Sequence, residues 1–190
     1  VPHFALSINS GTDNLVADYL SHNGITFKQL GLNAVNDSTA RLTGRLLGLS
    51  TGSVVLDTIS LTALQRGKYL IYNANVVNAP GTMDEFAKIS ANGYFSDNRL
   101  NLLLRQKNIN DETGYRFGIL VSTEDSTLNF SIQPTNAVIA YRDWQVNDNN
   151  HLTIDFRTRR MNADLALSNE TGHIHLFTEP SRIDSVNNTN

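Results

Sequence analysis

Apolar and polar residues alternate along most of the second half of the chain. From Ile89 to Leu104 the apolar positions recur at every second residue on both sides of a polar turn at Ser96–Asn98. The same period of two runs from Tyr115 to Val121 and again from Leu128 to Ile132. Because alternate side chains of a β-strand point to opposite faces, this spacing predicts successive antiparallel hairpins.

The only tryptophan, Trp144, belongs to a further stretch with this spacing. It alternates with Val146 and precedes the polar run Asn147–Asn150. The alternation then resumes at three apolar residues, Leu152, Ile154 and Phe156. A polar run between two alternating segments is typical of a turn, so we expect one more hairpin here. A tryptophan that alternates with valine favours a core position, and a sugar-stacking platform is the alternative.

One face of the predicted sheet is apolar and the other is polar. The large residues on the apolar side are Leu100, Leu102, Leu104, Tyr115, Phe117, Ile119, Val121, Leu128, Phe130, Ile132, Leu152, Ile154, Phe156, Leu165 and Leu167. Intervening positions such as Asn129, Ser131 and Thr153 suit a face that meets water. Each large side chain left in water would cost about 1.5 kcal/mol or more, and the sum exceeds a typical domain stability of about 5–15 kcal/mol. We therefore expect a second sheet, a curled sheet or an apolar ligand to cover this face.

Helical signals are few. The segment Asn14 to Ser21 has apolar residues at helical spacing behind a cap-like Thr12–Asp13 pair, which predicts a short helix. A second short helical turn is predicted for Thr82 to Ile89, behind Pro80–Gly81. Two short helices are too small to cover about nine or ten strands. The expected fold class is therefore an all-β, curved antiparallel meander, with a closed β-sandwich as the alternative.

Composition and charge exclude several classes of function. A net charge of −3 and a pI near 5.9 provide no electropositive surface for nucleic acid. The chain has no cysteine, which excludes disulfides and thiolate zinc sites, and no run of 18 apolar residues that would span a bilayer. It begins at Val1 without a methionine or a signal sequence, so we expect residues 1–190 to be one β-rich segment excised from a longer protein.

Motifs for catalysis are missing from the sequence. No serine lies in a G-x-S-x-G elbow, and no phosphate-binding loop is present. The carboxylate pairs Asp111–Glu112 and Glu124–Asp125 lie in turn-like clusters without apolar neighbours that would raise a pKa. We therefore expect neither an enzyme nor a cofactor.

Two polar clusters have alternative interpretations. His173 and His175 share a strand face, a spacing that suits a metal ion if a carboxylate such as Asp164 joins them. Glu170 is another possible third ligand. Because the histidines alternate with apolar residues, two solvent-facing histidines and no metal site are favoured. The basic cluster in the segment 157–160 suits either lipid headgroups or a solvated turn, and the turn is favoured.

The order of several short motifs resembles a segment of the TamB family, within the AsmA-like superfamily, of the Bacteroidetes type. The resemblance extends over most of the chain and rests on Gly44, Asp57, "NAPG" at Asn78 to Gly81, "NGYF" at Asn92 to Phe95, Gly114-Tyr115, Gly118, and the pattern from Pro134 through Trp144 to Asn147–Asn150. It implies a very long periplasmic protein, anchored to the inner membrane, whose strands form an open, taco-like β-groove. The predicted helix at Asn14 to Ser21 departs from a uniform groove of this kind.

The resemblance also implies a function and partners. Proteins of this family work with an outer-membrane barrel protein and are implicated in phospholipid transport or in outer-membrane biogenesis. The family has no active site, so the resemblance implies that the fifteen residues of the apolar side line a groove for phospholipid acyl chains. The alternative function is that of a closed β-sandwich for adhesion or carbohydrate binding. An apolar face left bare also favours self-association, because soluble monomers rarely expose large apolar patches.

Overall fold

Polar turns join fourteen β-strands and one short helix along the described part of the chain. The structure is a computed structural model and describes residues 3–82 and 86–179. The helix, α1, spans Leu15–His22. The strands are β1 Phe4–Ser10, β2 Gln29–Asn36, β3 Ala40–Ser50, β4 Val55–Arg66, β5 Tyr69–Asn78, β6 Lys88–Ser96, β7 Arg99–Lys107, β8 Thr113–Glu124, β9 Thr127–Ile132, β10 Asn136–Ile139, β11 Arg142–Val146, β12 His151–Asp155, β13 Arg160–Asn169 and β14 Gly172–Phe177.

The strands form one antiparallel sheet in which β1 to β8 follow chain order. The hairpins predicted around Ser96–Asn98 and between Val121 and Leu128 are confirmed, since β6 pairs with β7 and β8 pairs with β9. The first of these reverses at Asp97 and Asn98, whose φ angles of 47° and 59° are those of a type I′ turn. The predicted all-β antiparallel meander is therefore confirmed.

Beyond β8, two strands are interrupted in the middle. β9 and β10 lie end to end along one edge of β8, and β11 and β12 lie end to end along β13. Because β9 pairs with β12 and β10 pairs with β11, the two interruptions are side by side. We call the residues that leave the ladder there, 133–135 and 147–150, the strand break. Counting each interrupted strand once gives twelve strand positions from β1 to β14, each antiparallel to its neighbours.

Asparagine side chains replace main-chain hydrogen bonds at the strand break. The side-chain oxygen of Asn150 accepts from the Ile132 N–H at 2.6 Å, and its amide nitrogen donates to the carbonyls of Ile132 at 3.1 Å and Asn147 at 2.9 Å. The side-chain oxygen of Asn147 accepts from the Ala166 N–H at 2.9 Å. Pro134, which has no N–H to donate, occupies the neighbouring interruption. These bonds hold the chain in line, so β12 continues in the direction of β11.

The predicted hairpin from Trp144 to Phe156 is therefore wrong. β11 and β12 both pair with β13 rather than with each other. The chain reverses before β11, at Ala140 and Tyr141, whose φ angles are 51° and 63°, and again in the turn after β12. The described residues form fourteen strands rather than about nine or ten, partly because the interruptions divide two strands into four.

Helix α1 confirms the short helix predicted for Asn14 to Ser21, although its cap differs. Asn14, rather than the Thr12–Asp13 pair, is the N-cap: its side-chain oxygen accepts from the N–H groups of Val16 and Ala17, each at 3.1 Å. None of the helical residues is buried, and Leu15 is 87% exposed. The helix therefore does not cover the sheet.

The second predicted helical turn, Thr82 to Ile89, falls partly on residues 83–85, which lie outside the described residues. Its last two positions, Lys88 and Ile89, belong to β6 and pair with Val77 and Val76 of β5. This end of the prediction is wrong, because the two-residue alternation of β6 already includes Ile89.

No second layer covers the sheet within the described residues. Five apolar residues there are buried: Phe27, Ala137, Val138, Val146 and Ala163. The accessible surface of 13313 Å² also exceeds the roughly 9,000 Å² expected of a compact protein of this mass. The described strands thus form an open sheet and not the alternative, a closed β-sandwich.

Candidate functional site

Cross-strand pairing brings fourteen of the fifteen predicted groove residues onto one face of the sheet, which we call the apolar face. Directly opposite residues of antiparallel strands point to the same side. The pairs that define the face are Leu100↔Val121, Leu102↔Ile119, Leu104↔Phe117, Gln106↔Tyr115, Val121↔Phe130, Ile119↔Ile132, Leu128↔Ile154, Leu152↔Phe130 and Leu152↔Ala163. Leu165 and Leu167 follow Ala163 at steps of two along β13.

The fifteenth residue, Phe156, does not belong to a strand. It follows the end of β12, in the turn toward β13, and is 65% exposed. The alternation that includes Leu152 and Ile154 runs on into this turn by one step, which is why the sequence pattern placed Phe156 in the sheet. The prediction of a strand position for Phe156 is wrong.

The apolar face extends well beyond the residues that the sequence pattern identified. On the same side of β1 to β6 lie Leu6, Ile8, Leu30, Leu32, Leu42, Leu46, Ile59, Leu61, Leu70, Val76 and Phe95. Alternation is present in these strands too, but Gly44 and Ala63 interrupt it. Leu64 and Ile71 pair on the opposite face and weaken the contrast between the two sides. A search for alternating leucine and isoleucine in β3 and β4 would have found this part of the face.

A hollow of about 230 Å³ lies on the apolar face between β1 and β4. Its walls are mostly aliphatic: Ile8, Leu30, Leu32, Leu46, Ile59 and Leu61. Gly44 forms part of its floor, since a Cβ there would stand 3.6 Å from Leu32 Cδ1 and 3.8 Å from Leu61 Cβ, in ordinary contact. A methyl group would therefore fit at this position and narrow the hollow.

Among the hydroxyls on the apolar face, that of Tyr72 uses its donor within the sheet. Tyr72 extends across Gly93 and donates to the Asn101 carbonyl at 2.6 Å. A Cβ on Gly93 would lie 1.9 Å from that oxygen, so glycine is needed for the ring to pass. Burial raises the pKa of Tyr72, which keeps the hydroxyl neutral. The apolar face thus gains no charge from this residue.

The opposite face of the sheet, which we call the polar face, contains the polar positions that the sequence predicted. One row across it consists of Arg45, Ser60, Asn75, Ser90, Arg105 and Arg116. Side-chain hydrogen bonds join neighbouring strands on this face: Thr153 Oγ1 donates to Asn129 Oδ1 at 2.9 Å. This face also contains aliphatic residues, namely Leu47, Leu64, Ile71, Val77, Leu103 and Leu120, so it is mixed, whereas the other face is apolar over most of its rows.

The two histidines of β14 lie on the polar face. Their neighbour Ile174 pairs with Leu167 on the apolar face, which directs His173 and His175 to the other side. His175 Nε2 lies 2.9 Å from Asp164 Oδ1. In residues 3–82 and 86–179 no group of three metal-ligating side chains comes together. The geometry fits an exposed histidine–carboxylate pair.

Two carboxylates stabilise turns: Asp111, from the pair Asp111–Glu112, and Asp155, at the end of β12. Asp111 accepts from Lys107 Nζ at 2.6 Å, and this ammonium lowers the pKa of Asp111. Asp155 accepts from the N–H groups of Thr158 at 3.1 Å and Arg157 at 2.8 Å, and these bonds lower its pKa to about 2. Because both groups stay ionised near neutral pH, neither suits a general acid.

The basic residues Arg157, Arg159 and Arg160 lie in the turn between β12 and β13 or at its end.

Trp144 lies on the apolar face with Val146, partly buried, and its ring is 3.7 Å from where a Cβ on Gly172 would stand. This is the sheet-packed position that the alternation predicted.

A larger hollow, of about 680 Å³, lies on the polar side between the turn before β11 and the turn before β14. Its lining is polar and includes Arg142, Asp143, Gln145 and Glu170. Arg142 already donates to Thr171 Oγ1 at 3.1 Å across it. We regard the apolar face as the candidate site because its chemistry is uniform over many strands, whereas this hollow is confined to two turns.

Comparison with known proteins adds no relative. No family model matches the chain, and no curated protein or solved structure matches it either. Among the described residues, the single eight-residue helix is too short to cross a bilayer.

Proposed function

We propose that this chain is a segment of a hydrophobic groove that binds phospholipid acyl chains within a TamB-like periplasmic protein. On this proposal the parent chain anchors it to the inner membrane and works with an outer-membrane barrel protein in lipid transport or outer-membrane biogenesis. The observation that supports the proposal is the apolar face, which crosses the whole sheet and is covered by no second layer within the described residues.

The continuity of the face suits a long, flexible apolar ligand. One row crosses nine strands without a charged residue: Leu6, Ala34, Leu42, Ala63, Tyr72, Gly93, Leu102, Ile119 and Ile132. At about 4.8 Å between strands this row is roughly 38 Å long. Each methylene that leaves water there contributes about 0.8 kcal/mol, so an acyl chain of ten or more carbons is retained without headgroup recognition.

The arrangement also explains how such a segment stays dispersed in water. The polar face keeps its arginines and asparagines hydrated, while the ligand covers the apolar side. A closed sandwich would need a second sheet, which the described strands do not supply. We therefore do not propose the adhesion or carbohydrate-binding alternative.

The direct test is lipid occupancy. Protein purified without detergent is expected to contain phospholipid, detectable by native mass spectrometry and by extraction, and to bind a fluorescent fatty acid. A lipid-free monomer that fails to bind the probe would refute the proposal.

Charge substitutions on the apolar face sharpen this test. Leu102→Arg and Phe117→Arg place a cation where the acyl chain would lie, and we expect probe affinity to fall about tenfold or more. Because the face is open, a long arginine can extend to water and the protein stays folded. Arg105→Glu, on the polar face, is the matched control and should leave probe binding unchanged. Equal binding by all three variants and the wild type would contradict the proposed location.

A further inference from the structure

Both outer strands of the sheet lack the features that normally prevent edge pairing. Exposed edges are usually protected by charged residues, by proline or by a β-bulge. β1, "FALSINS", and β14, "GHIHLF", contain no lysine, arginine, aspartate, glutamate or proline. Their registers with β2 and β13 show no bulge. Within the described residues, neither strand has a partner on its outer side.

The free main-chain groups of β14 can be identified. The Thr178 N–H donates to the Ala163 carbonyl, so the main-chain N–H and C=O groups of Thr178 point toward β13. In an antiparallel ladder this direction alternates along the strand. The N–H and C=O groups of His173, His175 and Phe177 therefore point outward, away from β13. They form a ready template for one more strand.

The two edges of one molecule are complementary to each other. There are twelve strand positions, each antiparallel to the next, so β14 runs opposite to β1. When a second copy is placed beside the first with the same side up, its β1 therefore meets β14 in antiparallel orientation. The apolar face then continues across the junction without a change of side.

When β1 of the second copy lies beside β14 of the first, the side chains of the two strands also match. Facing Ile174 with Ile8 places Leu176 opposite Leu6 on the apolar side. On the polar side His175 then faces Ser7, and His173 faces Asn9. Aliphatic residues thus meet aliphatic residues and polar residues meet polar ones, which is the kind of cross-strand pairing that stabilises a sheet.

We propose that β14 of one copy pairs with β1 of a second copy, so that the chains associate head to tail through their sheet edges. Because the contact joins two different surfaces, each added copy presents a free edge for the next, and a series of oligomers forms unless the rotation between copies closes a ring. This inference concerns residues 1–190 as a separate chain, and in a longer parent chain the preceding and following strands would pair with the same two edges. It does not depend on whether the apolar face binds lipid.

The first experiment measures association in a non-ionic detergent that occupies the apolar face, so that only the edges remain available. Sedimentation velocity of the wild type is expected to show dimers and longer species that increase with protein concentration. His175→Pro removes an outward N–H that β14 does not use in its own sheet, and it should be monomeric. His175→Ala loses the same imidazole and keeps the N–H, so it should associate like the wild type. A wild type that stays monomeric at every concentration overturns the proposal.

The His175→Pro chain also tests the direction of the contact. It retains an intact β1, so it should bind the β14 end of a wild-type oligomer and stop its growth. A substoichiometric amount added to the wild type is expected to shorten the oligomers. Unchanged oligomer length would overturn the head-to-tail arrangement.

Cross-linking tests the pairing without proline. The chain has no cysteine of its own, so introduced thiols report one contact. A mixture of His175→Cys and Ser7→Cys chains should form a mixed disulfide under mild oxidation. A mixture of His175→Cys and Ile8→Cys chains should not, because the two thiols would lie on opposite faces. Equal cross-linking in both mixtures, or none in the first, overturns the proposed register.

Discussion

The meander from β1 to β8 and the region around the strand break satisfy their main-chain hydrogen-bonding groups in different ways. In the meander, main-chain groups pair with main-chain groups over long registers, such as the ten pairs between β4 and β5. Around the strand break, the amides of Asn147 and Asn150 take over that role. Four of the five buried apolar residues, Ala137, Val138, Val146 and Ala163, nevertheless belong to the strands that flank the break. Regular pairing thus gives an open face, and the irregular region provides most of the burial.

The comparison predicts that loss of a single amide is most damaging at the strand break. Asn150 is buried, and Asn150→Ala leaves the partly buried N–H and C=O of Ile132 without their partners, so we expect a loss of about 3 kcal/mol in unfolding free energy. Asn149→Ala, at the exposed neighbouring position, should change stability by less than about 0.5 kcal/mol. Urea unfolding of both variants measures the difference. Similar midpoints for the two would show that the amide of Asn150 does not replace the ladder.

Added side chains should distinguish Gly118, at the strand break, from Gly44, in an open part of the meander, although Gly93 in the meander is as closely approached as Gly118. A Cβ on Gly118 would stand 1.6 Å from the Gln133 carbonyl oxygen at the strand break, so Gly118→Ala forces a main-chain shift. We expect Gly118→Ala to lower the free energy of unfolding by about 1–3 kcal/mol. In Gly44→Ala, in the meander, the added Cβ makes only ordinary contacts, so the free energy of unfolding should change little. If thermal unfolding shows Gly44→Ala to be the more harmful change, the assigned close approach at Gly118 is wrong.

Acid should weaken the turn between β12 and β13, at the end of β12 away from the strand break, through Asp155. Hydrogen bonds from the main chain of Thr158 and Arg157 lower its folded-state pKa from 3.8 to about 2. A depressed carboxylate pKa stabilises the fold above the unfolded value, and this contribution is lost as the pH falls from about 4 to about 2. Asp155→Asn should therefore lower the urea midpoint at pH 5 and show a smaller further loss at pH 2 than the wild type. Parallel pH profiles would contradict this role.

The smallest effect is expected at the surface of the meander. Lys68 Nζ and Asp97 Oδ2 are 2.5 Å apart between neighbouring turns, and both side chains are about 60% exposed. Such pairs contribute little because water screens them. Lys68→Ala should leave the unfolding midpoint almost unchanged, even at low salt. A clear loss of stability would mean that the turns of the meander depend on side chains as the strand break does.

The sequence was sufficient to predict the meander but not the break. Alternation from Leu100 to Ile132 and the turn pair Asp97–Asn98 are local signals, and the structure has those hairpins. Asn147–Asn150 suits a turn equally well by composition. Its amides instead bond Ile132 and Ala166, 18 and 19 positions away, a long-range choice that no local pattern reveals. The actual reversal at Ala140 and Tyr141 uses residues that seldom adopt positive φ.

The residues of the candidate site were also predicted from local alternation, and the prediction failed where the alternation is interrupted or continues past the end of a strand. Fourteen apolar-face residues followed from a period of two, whereas Phe156 was misplaced because the alternation continues past the end of its strand. The part of the face on β1 to β5 was missed because Gly44 and Ala63 interrupt the pattern, although Gly44 lines the aliphatic hollow.

The twelve-position sheet has a consequence for how proteins of this shape can change in length. Its main contacts join only strands that are neighbours in the sheet, and no central core must be shared by all of them. Stability is then close to a sum of nearest-neighbour contributions, as in solenoid repeats. Inserting or deleting one hairpin would lengthen or shorten the sheet by about 10 Å and change the pairing of only the two strands that flank it. Duplication of hairpins is therefore a simple evolutionary route to a longer or shorter apolar face.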